Sequence, residues 1–294
     1  MATASDYIRL ARPHQYVKNG FIFLPLFFGL KYSDASAVLR TCAAFGIFCL
    51  LASGVYIFND FRDREADGMH PRKKDRPLAS GRVKPGPALA LACVCAAVGL
   101  GEGAFLGTGF LAIAGGYLVL NLAYSLGLKH APIIDINCIS LGFVLRLYAG
   151  SRAALVPLSH WIILMTFLLA LFLALGKRRD ELPLAEENGN ATRRSLDGYN
   201  HEMVTAAMVM MGAVTIVSYI LYTVSPDVTA YFKSDSVFLT TFWVILGILR
   251  YLQDVFVRNL GGSPSRVVLR DVFLQITILG WLASFGVIMY LAGP

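Results

Sequence analysis

The chain is a succession of apolar blocks, most of them roughly 17 to 22 residues long, separated by polar stretches. That length is what a helix needs to cross the hydrocarbon core of a bilayer. In lipid every backbone N–H and C=O must find its partner inside the segment, so blocks of this kind fold as helices. Composition agrees: 56% of residues are hydrophobic, 15% are charged and the mean hydropathy is +0.60. A soluble domain carries about a quarter charged residues. We therefore expect an all-α polytopic membrane protein with nine transmembrane helices. The spans fall at about Val17–Leu30, Val38–Phe58, Ala88–Leu106, Phe110–Leu126, Pro132–Gly150, Leu158–Gly176, Met203–Val224, Val237–Phe256 and Val272–Ala292.

Loop charge supports an odd count. The N-terminal segment and the loops after spans 2, 4, 6 and 8 hold 19 Lys/Arg, against 3 on the alternate loops. The positive-inside rule then places the N-terminus and two long polar loops, 59–87 and 177–202, in the cytoplasm. Residues 1–16 form an interfacial segment with Tyr7, Ile8, Leu10 and Tyr16 available to the lipid boundary. The net charge of +7 thus speaks to orientation and anionic substrates; no nucleic-acid-binding pattern is visible. Cys42, Cys49, Cys93, Cys95 and Cys138 lie within apolar runs without metal or disulfide spacing, and read as small core residues. Gly99, Gly101 and Gly103 point to close helix packing. Glu102 has no evident partner in the sequence.

The polar stretch after span 2 reads Asn59-Asp60-Phe61-Arg62-Asp63-Arg64-Glu65-Ala66-Asp67. If the helix runs on past Phe58, Asp60, Asp63 and Asp67 stand at i, i+3 and i+7, on one face. They would also sit at a helix C-terminus, where the macrodipole is already negative. A solvated acidic helix end is the plainer account. At the end of a membrane span, with Asn59 beside them, three repelling carboxylates call for a cation. Oxygen ligands of this kind suit Mg²⁺, which is usually held together with substrate phosphates. Lys73 and Arg76 follow closely and suit the phosphates. A metal–diphosphate complex is the simplest object that needs both sets.

Other charged residues stand near or inside spans. Lys18 and Asn19 mark the entrance to span 1; Lys129 precedes span 5, and Asp135 and Arg146 lie within it. Ionisable groups at such depth are costly and are functional candidates by default. Snorkelling would account for Lys18, and neutralisation of Glu102 would account for Arg146. The second polar loop begins Lys177-Arg178-Arg179-Asp180-Glu181-Leu182 and continues through Arg193-Arg194 to Asp197-Gly198-Tyr199-Asn200. It is more basic than the first, and a positive-inside anchor would explain it equally. Both loops follow even-numbered spans, an arrangement in which they could face one cavity. Intramembrane charge would also suit a transporter, although the acids concentrate at one membrane face and not at the midplane.

Asn59-Asp60-x-x-Asp63-x-x-x-Asp67 after span 2, with nine spans and a second polar loop after span 6, resembles the UbiA superfamily of intramembrane prenyltransferases. Further stretches look like its decaprenyl-phosphate phosphoribosyltransferase branch. They are Arg12-Pro13-x-Gln15-Tyr16-Val17-Lys18-Asn19, His70-Pro71-x-Lys73-x-x-Arg76-Pro77-x-Ala79-Ser80-Gly81 and Gly142-Phe143-x-Leu145-Arg146-x-x-x-Gly150, then Gly176-Lys177-Arg178-Arg179-x-Glu181-Leu182 and Leu269-Arg270-Asp271-x-x-Leu274-Gln275. Tyr16 stands where Trp is common in that branch.

This resemblance implies a single UbiA-like transmembrane domain over 1–294 in a bacterial plasma membrane. It implies a transferase that moves 5-phosphoribose from phosphoribosyl diphosphate to a polyprenyl phosphate lipid, releasing diphosphate, for cell-wall arabinan. A conventional prenyl transfer from a polyprenyl diphosphate to an aromatic or lipid acceptor is the competing activity. The lower acidity and higher basicity after span 6 favour a second anionic substrate. On this basis Asn59, Asp60, Asp63 and Asp67 would hold Mg²⁺, with the three aspartates as the catalytic set. Lys73 and Arg76 would share the leaving group's charge; Lys18, Asn19 and Lys129 would hold the ribose or its 5-phosphate. Arg146, Lys177 and Arg178 would hold the polyprenyl phosphate, with Asp135, Glu181 and Tyr199 as further substrate-binding residues. His70 is expected to be structural, and a homo-oligomer is left open.

Overall fold

The structure, a computed structural model, describes residues 2–69, 73–188, 194–262 and 264–292. Every regular element among the described residues is a helix. The chain divides into two compact units, Met1–Ser159 with Glu187–Gly198, and His160–Glu186 with Tyr199–Pro294.

The first unit opens with α1, Ala4–Ala11. Thr3 and Asp6 form a reciprocal capping box at its start. The hydrogen bonds from the Thr3 backbone and hydroxyl hold the Asp6 carboxyl below the usual aspartate range. Arg12 ends α1 in the left-handed region, at φ 55°, and Pro13 prevents continuation. A 3-10 segment, Pro13–Phe23, and the short α2, Leu24–Phe28, then occupy the first expected span. That span is therefore not one regular α-helix. Pro13, Gly20 and Pro25 each weaken an i→i−4 ladder, and the stretch closes in tighter turns instead.

Four long helices complete the unit: α3, Ala35–Met69; α4, Pro85–Phe105; α5, Thr108–Leu126; and α6, Ile134–Ala154. Asp34 caps α3 by accepting from the backbone N–H of Ser36 and Ala37 at 3.0 and 3.2 Å. With 35 residues, α3 is about 50 Å long, against about 30 Å for a hydrocarbon core. Its last turns therefore project beyond the apolar run. The stretch expected to begin a polar loop at Asn59 is helical to Met69.

The core of this unit joins α3, α5, α6 and the 3-10 segment through Ile22, Phe48, Leu51, Phe110, Tyr117 and Ala149. Of the three glycines, Gly99 and Gly103 do allow close approach: a Cβ on Gly99 would meet Leu51 at 2.7 Å and one on Gly103 would meet Phe110 at 3.4 Å. Gly101 faces open space. A separate cluster, Leu10 with Ile57, Leu78, Val83, Ala88 and Ala92, seats α1 across α3 and α4. Leu10 thus turns inward, and Ile8 stays exposed.

Arg40 lies one turn into α3, inside an apolar run. Its guanidinium donates to the carbonyl of Ala153 at 3.0 Å and of Leu106 at 3.2 Å, serving the orphaned carbonyl ends of α6 and α4. Arg40→Met should lower stability by about 1–3 kcal/mol. Thermal unfolding in detergent measures this, and specific activity at a temperature where the variant is folded should be retained.

The second unit contains α7, His160–Asn188; α8, His201–Thr223; α9, Pro226–Phe232; α10, Thr241–Phe256; α11, Pro264–Arg270; and α12, Val272–Ala292. Here too the polar stretch begins as helix, since α7 runs past Gly176 and through Pro183. Trp281 donates to the Tyr219 hydroxyl at 2.7 Å and Trp243 to Ser284 at 2.8 Å, tying α12 to α8 and α10. Asp271 caps α12 through the Leu274 N–H and is held by Arg250, whose hydrogen bonds pull its carboxyl below the usual range.

Among the described residues, seven helices are long and apolar enough to cross a membrane: α3, α4, α5, α7, α8, α12, and α10 with the 3-10 turn before it. The remaining two expected spans are the broken segment 13–28 and α6, which carries Asp135, Arg146 and Arg152. Phe105, Val119 and Tyr290 are 83, 67 and 86% exposed. Apolar surface on this scale belongs in lipid, so the protein is an integral, multi-pass membrane protein. The same reasoning corrects the cysteines. Cys49, Cys95 and Cys138 are buried, but Cys42 and Cys93 are exposed on helix surfaces where lipid replaces a protein core.

Candidate functional site

The projecting end of α3 carries Asp60, Asp63 and Asp67 on one face. Asp60 and Asp67 are 2% and 4% exposed, and Asp63 is more open. Such burial of ionised carboxylates is sustainable only if each is paired. Arg76 Nη1 donates to Asp60 Oδ1 at 3.0 Å and to Asp67 Oδ2 at 2.5 Å. Arg12 also pairs with Asp60, and Lys73 approaches Asp67 at 4.0 Å. Lys129, itself 3% exposed, pairs with Asp63 and lies 3.4 Å from Asn59 Oδ1. Asn59 Nδ2 in turn donates to Asp63 Oδ2 at 3.0 Å.

The four expected metal ligands are therefore split into two pairs. One basic nitrogen sits between Asp60 and Asp67, another between Asn59 and Asp63. No group of three acidic, His or Cys side chains among the described residues converges as a metal site would. The donor chemistry nevertheless fits a hard divalent ion. Arg76 Nη1 and Lys129 Nζ bridge these oxygens.

Deeper in the same unit, Arg146 on α6 is 5% exposed. Its Nε donates to Asn19 Oδ1 at 2.7 Å, Nη1 to the Gly142 carbonyl at 2.8 Å and Nη2 to the Tyr117 hydroxyl at 2.9 Å. The guanidinium also lies 4.8 Å from the Tyr117 ring centroid. Glu102, the counter-charge considered from sequence, is exposed on α4 and makes none of these bonds. Asn19 and Arg146, allotted to different substrates by the sequence, belong to one hydrogen-bonded group. Lys18 is partly buried beside it, within electrostatic reach of Arg146 and Arg12. Asp135 is fully buried in the first turn of α6, where the helix dipole favours an acid.

The expected residues of the second unit make their own pairs. Arg178 on α7 is 0% exposed and pairs with Glu181; Lys177 approaches Glu181 at 3.6 Å. Tyr199 is buried just before α8. His70, Arg72 and Arg193 lie outside the described residues.

Two members of the site carry no role in the sequence reading. Arg12 reaches Asp60 and lies 5.4 Å over the Tyr56 ring. Its signal was its place at the head of the Arg12-Pro13-x-Gln15-Tyr16-Val17-Lys18-Asn19 stretch, at a helix end that the proline dictates. Tyr117 gave no signal, since one tyrosine in an apolar helix looks like packing.

Comparison with known proteins places this geometry in context. The UbiA prenyltransferase family profile matches residues 22–268. The chain is 35% identical to the decaprenyl-phosphate phosphoribosyltransferase of Mycolicibacterium smegmatis over 296 aligned residues, 97% of this chain and 93% of that protein. It is 34% identical to the enzyme of the same name from Mycobacterium tuberculosis, covering 95% of this chain and 92% of that one. Among solved structures, a UbiA homolog from Archaeoglobus fulgidus bound to DMAPP and Mg²⁺ superimposes with a TM-score of 0.70 at 18% identity. That match covers 97% of this chain and 99% of the homolog, and shows a shared fold.

Proposed function

The chain belongs to the UbiA prenyltransferase family, and from that membership we propose that it transfers 5-phosphoribose from phosphoribosyl diphosphate to a polyprenyl (decaprenyl) phosphate, releasing diphosphate. The observation that carries this reading is the surplus of positive charge around the acidic face. Arg12, Lys73, Arg76 and Lys129 already match Asp60, Asp63 and Asp67, and Lys18 and Arg146 stand beyond them with no acid paired to either among the described residues. Two phosphorylated substrates suit such a surface better than a prenyl diphosphate paired with an aromatic acid of single charge.

Asn59, Asp60, Asp63 and Asp67 are the groups that would hold Mg²⁺, which when bound supplies charge neutralisation to the departing diphosphate. Arg76, Lys73, Lys129 and Arg12, which pair with those acids, would take up that charge as it develops. The anomeric carbon passes through an oxocarbenium-like state while a phosphate oxygen of the acceptor attacks from the opposite face. No general base is needed, because a phosphate monoester is largely ionised near neutral pH, with its second pKa at about 6. Holding two charged substrates in line supplies much of the rate. We read residues 1–294 as one UbiA-like domain with nine spans in a bacterial plasma membrane. The N-terminus and both polar stretches face the cytoplasm, and the product feeds cell-wall arabinan.

Diphosphate release from phosphoribosyl diphosphate, measured on purified protein with and without polyprenyl phosphate, tests the activity. Release that depends on the lipid is the expected result. Release only from a prenyl diphosphate with an aromatic acid would establish conventional prenyl transfer. Substrate-dependent ion flux in proteoliposomes without diphosphate release would establish a transporter.

A further inference from the structure

We propose that Asp6 and Arg82 are positioning residues for the transfer: their ion pair closes a clasp that holds Arg12 and Arg76 together on Asp60. The inference rests on the proposed use of the acidic face to hold a leaving diphosphate, and adds two residues that work from outside that face.

One carboxylate oxygen carries two bases. Arg12 Nη2 and Arg76 Nη1 both end on Asp60 Oδ1, Arg76 at 3.0 Å. Two guanidiniums repel each other, and a single carboxylate balances only one of them. Arg76 has Asp67 as well, but Arg12 has no second acid among the described residues. The two bases also come from different parts of the chain. Arg12 ends α1. Arg76 lies in the turns of 73–84, where its N–H donates to the Lys73 carbonyl at 3.0 Å and its own carbonyl accepts from the Ser80 N–H at 2.9 Å.

What brings these segments together lies away from the acids. Leu10, 0% exposed, packs with Leu78 and Val83. Arg82 Nε lies 3.3 Å from Asp6 Oδ1. Asp6 divides its carboxylate between two tasks. Oδ2 accepts from the Thr3 N–H at 3.0 Å and from the Thr3 hydroxyl at 2.8 Å, capping α1, while Oδ1 faces Arg82. Arg82 Nη2 donates in turn to the carbonyl of Asp75, the neighbour of Arg76. The loop of contacts is closed: from Asp60 through Arg12 and α1 to Asp6, across to Arg82, and back through Asp75 to Arg76.

The apolar seat at Leu10 resists separation of the segments but does not set the rotation of α1 about its own axis. A directional ion pair does, and that rotation decides where the Arg12 side chain begins. Arg82 is 41% exposed, so the pair adds little to stability. Its worth is geometric. As charge grows on the departing diphosphate, two guanidiniums already gathered at one point meet it without reorganisation. A misplacement of about 1 Å, even from a change far from the chemistry, can cost about a hundredfold in rate.

The test is kcat and donor KM for diphosphate release from phosphoribosyl diphosphate, with polyprenyl phosphate present, on the purified full-length protein. Asp6→Asn, Arg82→Gln, the double variant and Arg82→Lys are compared with the wild type, and Tm is measured on the same preparations. Each neutral variant should lose about tenfold in kcat, keep donor KM within about twofold, and lose no more than about 3 °C in Tm. The double variant should be no worse than the poorer single one, because both break the same pair. Arg82→Lys keeps the charge and should retain about half of the wild-type kcat or more. A merely structural pair would lower Tm and leave the kcat of the folded protein unchanged, which would overturn the proposal. So would losses in the double variant that multiply those of the single ones. If the wild type releases diphosphate only from a prenyl diphosphate with an aromatic acid, the phosphoribosyl reading fails, and the same kcat ratios measured in that reaction decide the clasp. A wild type that releases diphosphate from neither donor overturns both.

Discussion

Asp60→Asn and Asp63→Asn are each expected to reduce turnover by about a hundredfold to a thousandfold or more while leaving a folded protein. Asp60 is nearly fully buried and lies between Arg12 and Arg76, so its amide would accept hydrogen bonds but would not neutralise either base. Arg76 keeps Asp67 as a partner, which limits the structural damage. Asp63 is more open, and its neutralisation leaves Lys129 two amide oxygens and no acid among the described residues. The carboxylates are needed for charge and not for shape, since asparagine is isosteric. Initial rates of diphosphate release, with Tm measured on the same preparations, separate the two effects. Near-normal turnover in both variants would remove the acidic face from the chemistry.

Gly150→Ala should be the most damaging conservative change in the first unit. A Cβ at this position would lie 2.0 Å from the carbonyl oxygen of Ile22 and 2.8 Å from its carbonyl carbon. Neither atom belongs to a flexible side chain, so backbone must move. What moves is the 3-10 segment that carries Lys18 and Asn19, against the helix that carries Arg146. Overpacking of this kind costs about 1–3 kcal/mol or more. We expect a fall of several degrees in Tm, together with loss of phosphate-ligand affinity as the Asn19–Arg146 bond opens. Gly101→Ala is the control. It adds the same methyl group to a helix of the same unit where nothing lies within 4 Å, and should leave both quantities unchanged. Equal behaviour of the two variants would contradict the close contact at Gly150.

The helical membrane class and the UbiA family were legible in the sequence, because apolar block length and the Asn59–Asp67 spacing each follow from one periodicity. The extent of α3 was half legible. The i, i+3, i+7 spacing spoke for helix, yet the density of charge after Phe58 read as a loop. In the structure the bases on neighbouring segments offset that charge and the helix continues to Met69. The partners of the acids were not legible. Lys129 is 66 positions from Asp63 and Arg12 is 48 from Asp60, separations that no local pattern encodes. Nor was the union of Asn19 with Arg146, 127 positions apart, which the crossing of α6 over the 3-10 segment brings about at Gly150.

Phosphoribosyl transfer itself is tested most directly by the fate of a label. Phosphoribosyl diphosphate labelled in the ribose is incubated with the purified protein, decaprenyl phosphate and Mg²⁺, and the lipid extract is counted. A parallel reaction contains labelled prenyl diphosphate and an aromatic acid. The account predicts label in the lipid fraction of the first reaction, lost when the divalent ion is chelated, and none transferred in the second. Label moved from the prenyl diphosphate to the aromatic acid, with none passing from ribose to lipid, would contradict it.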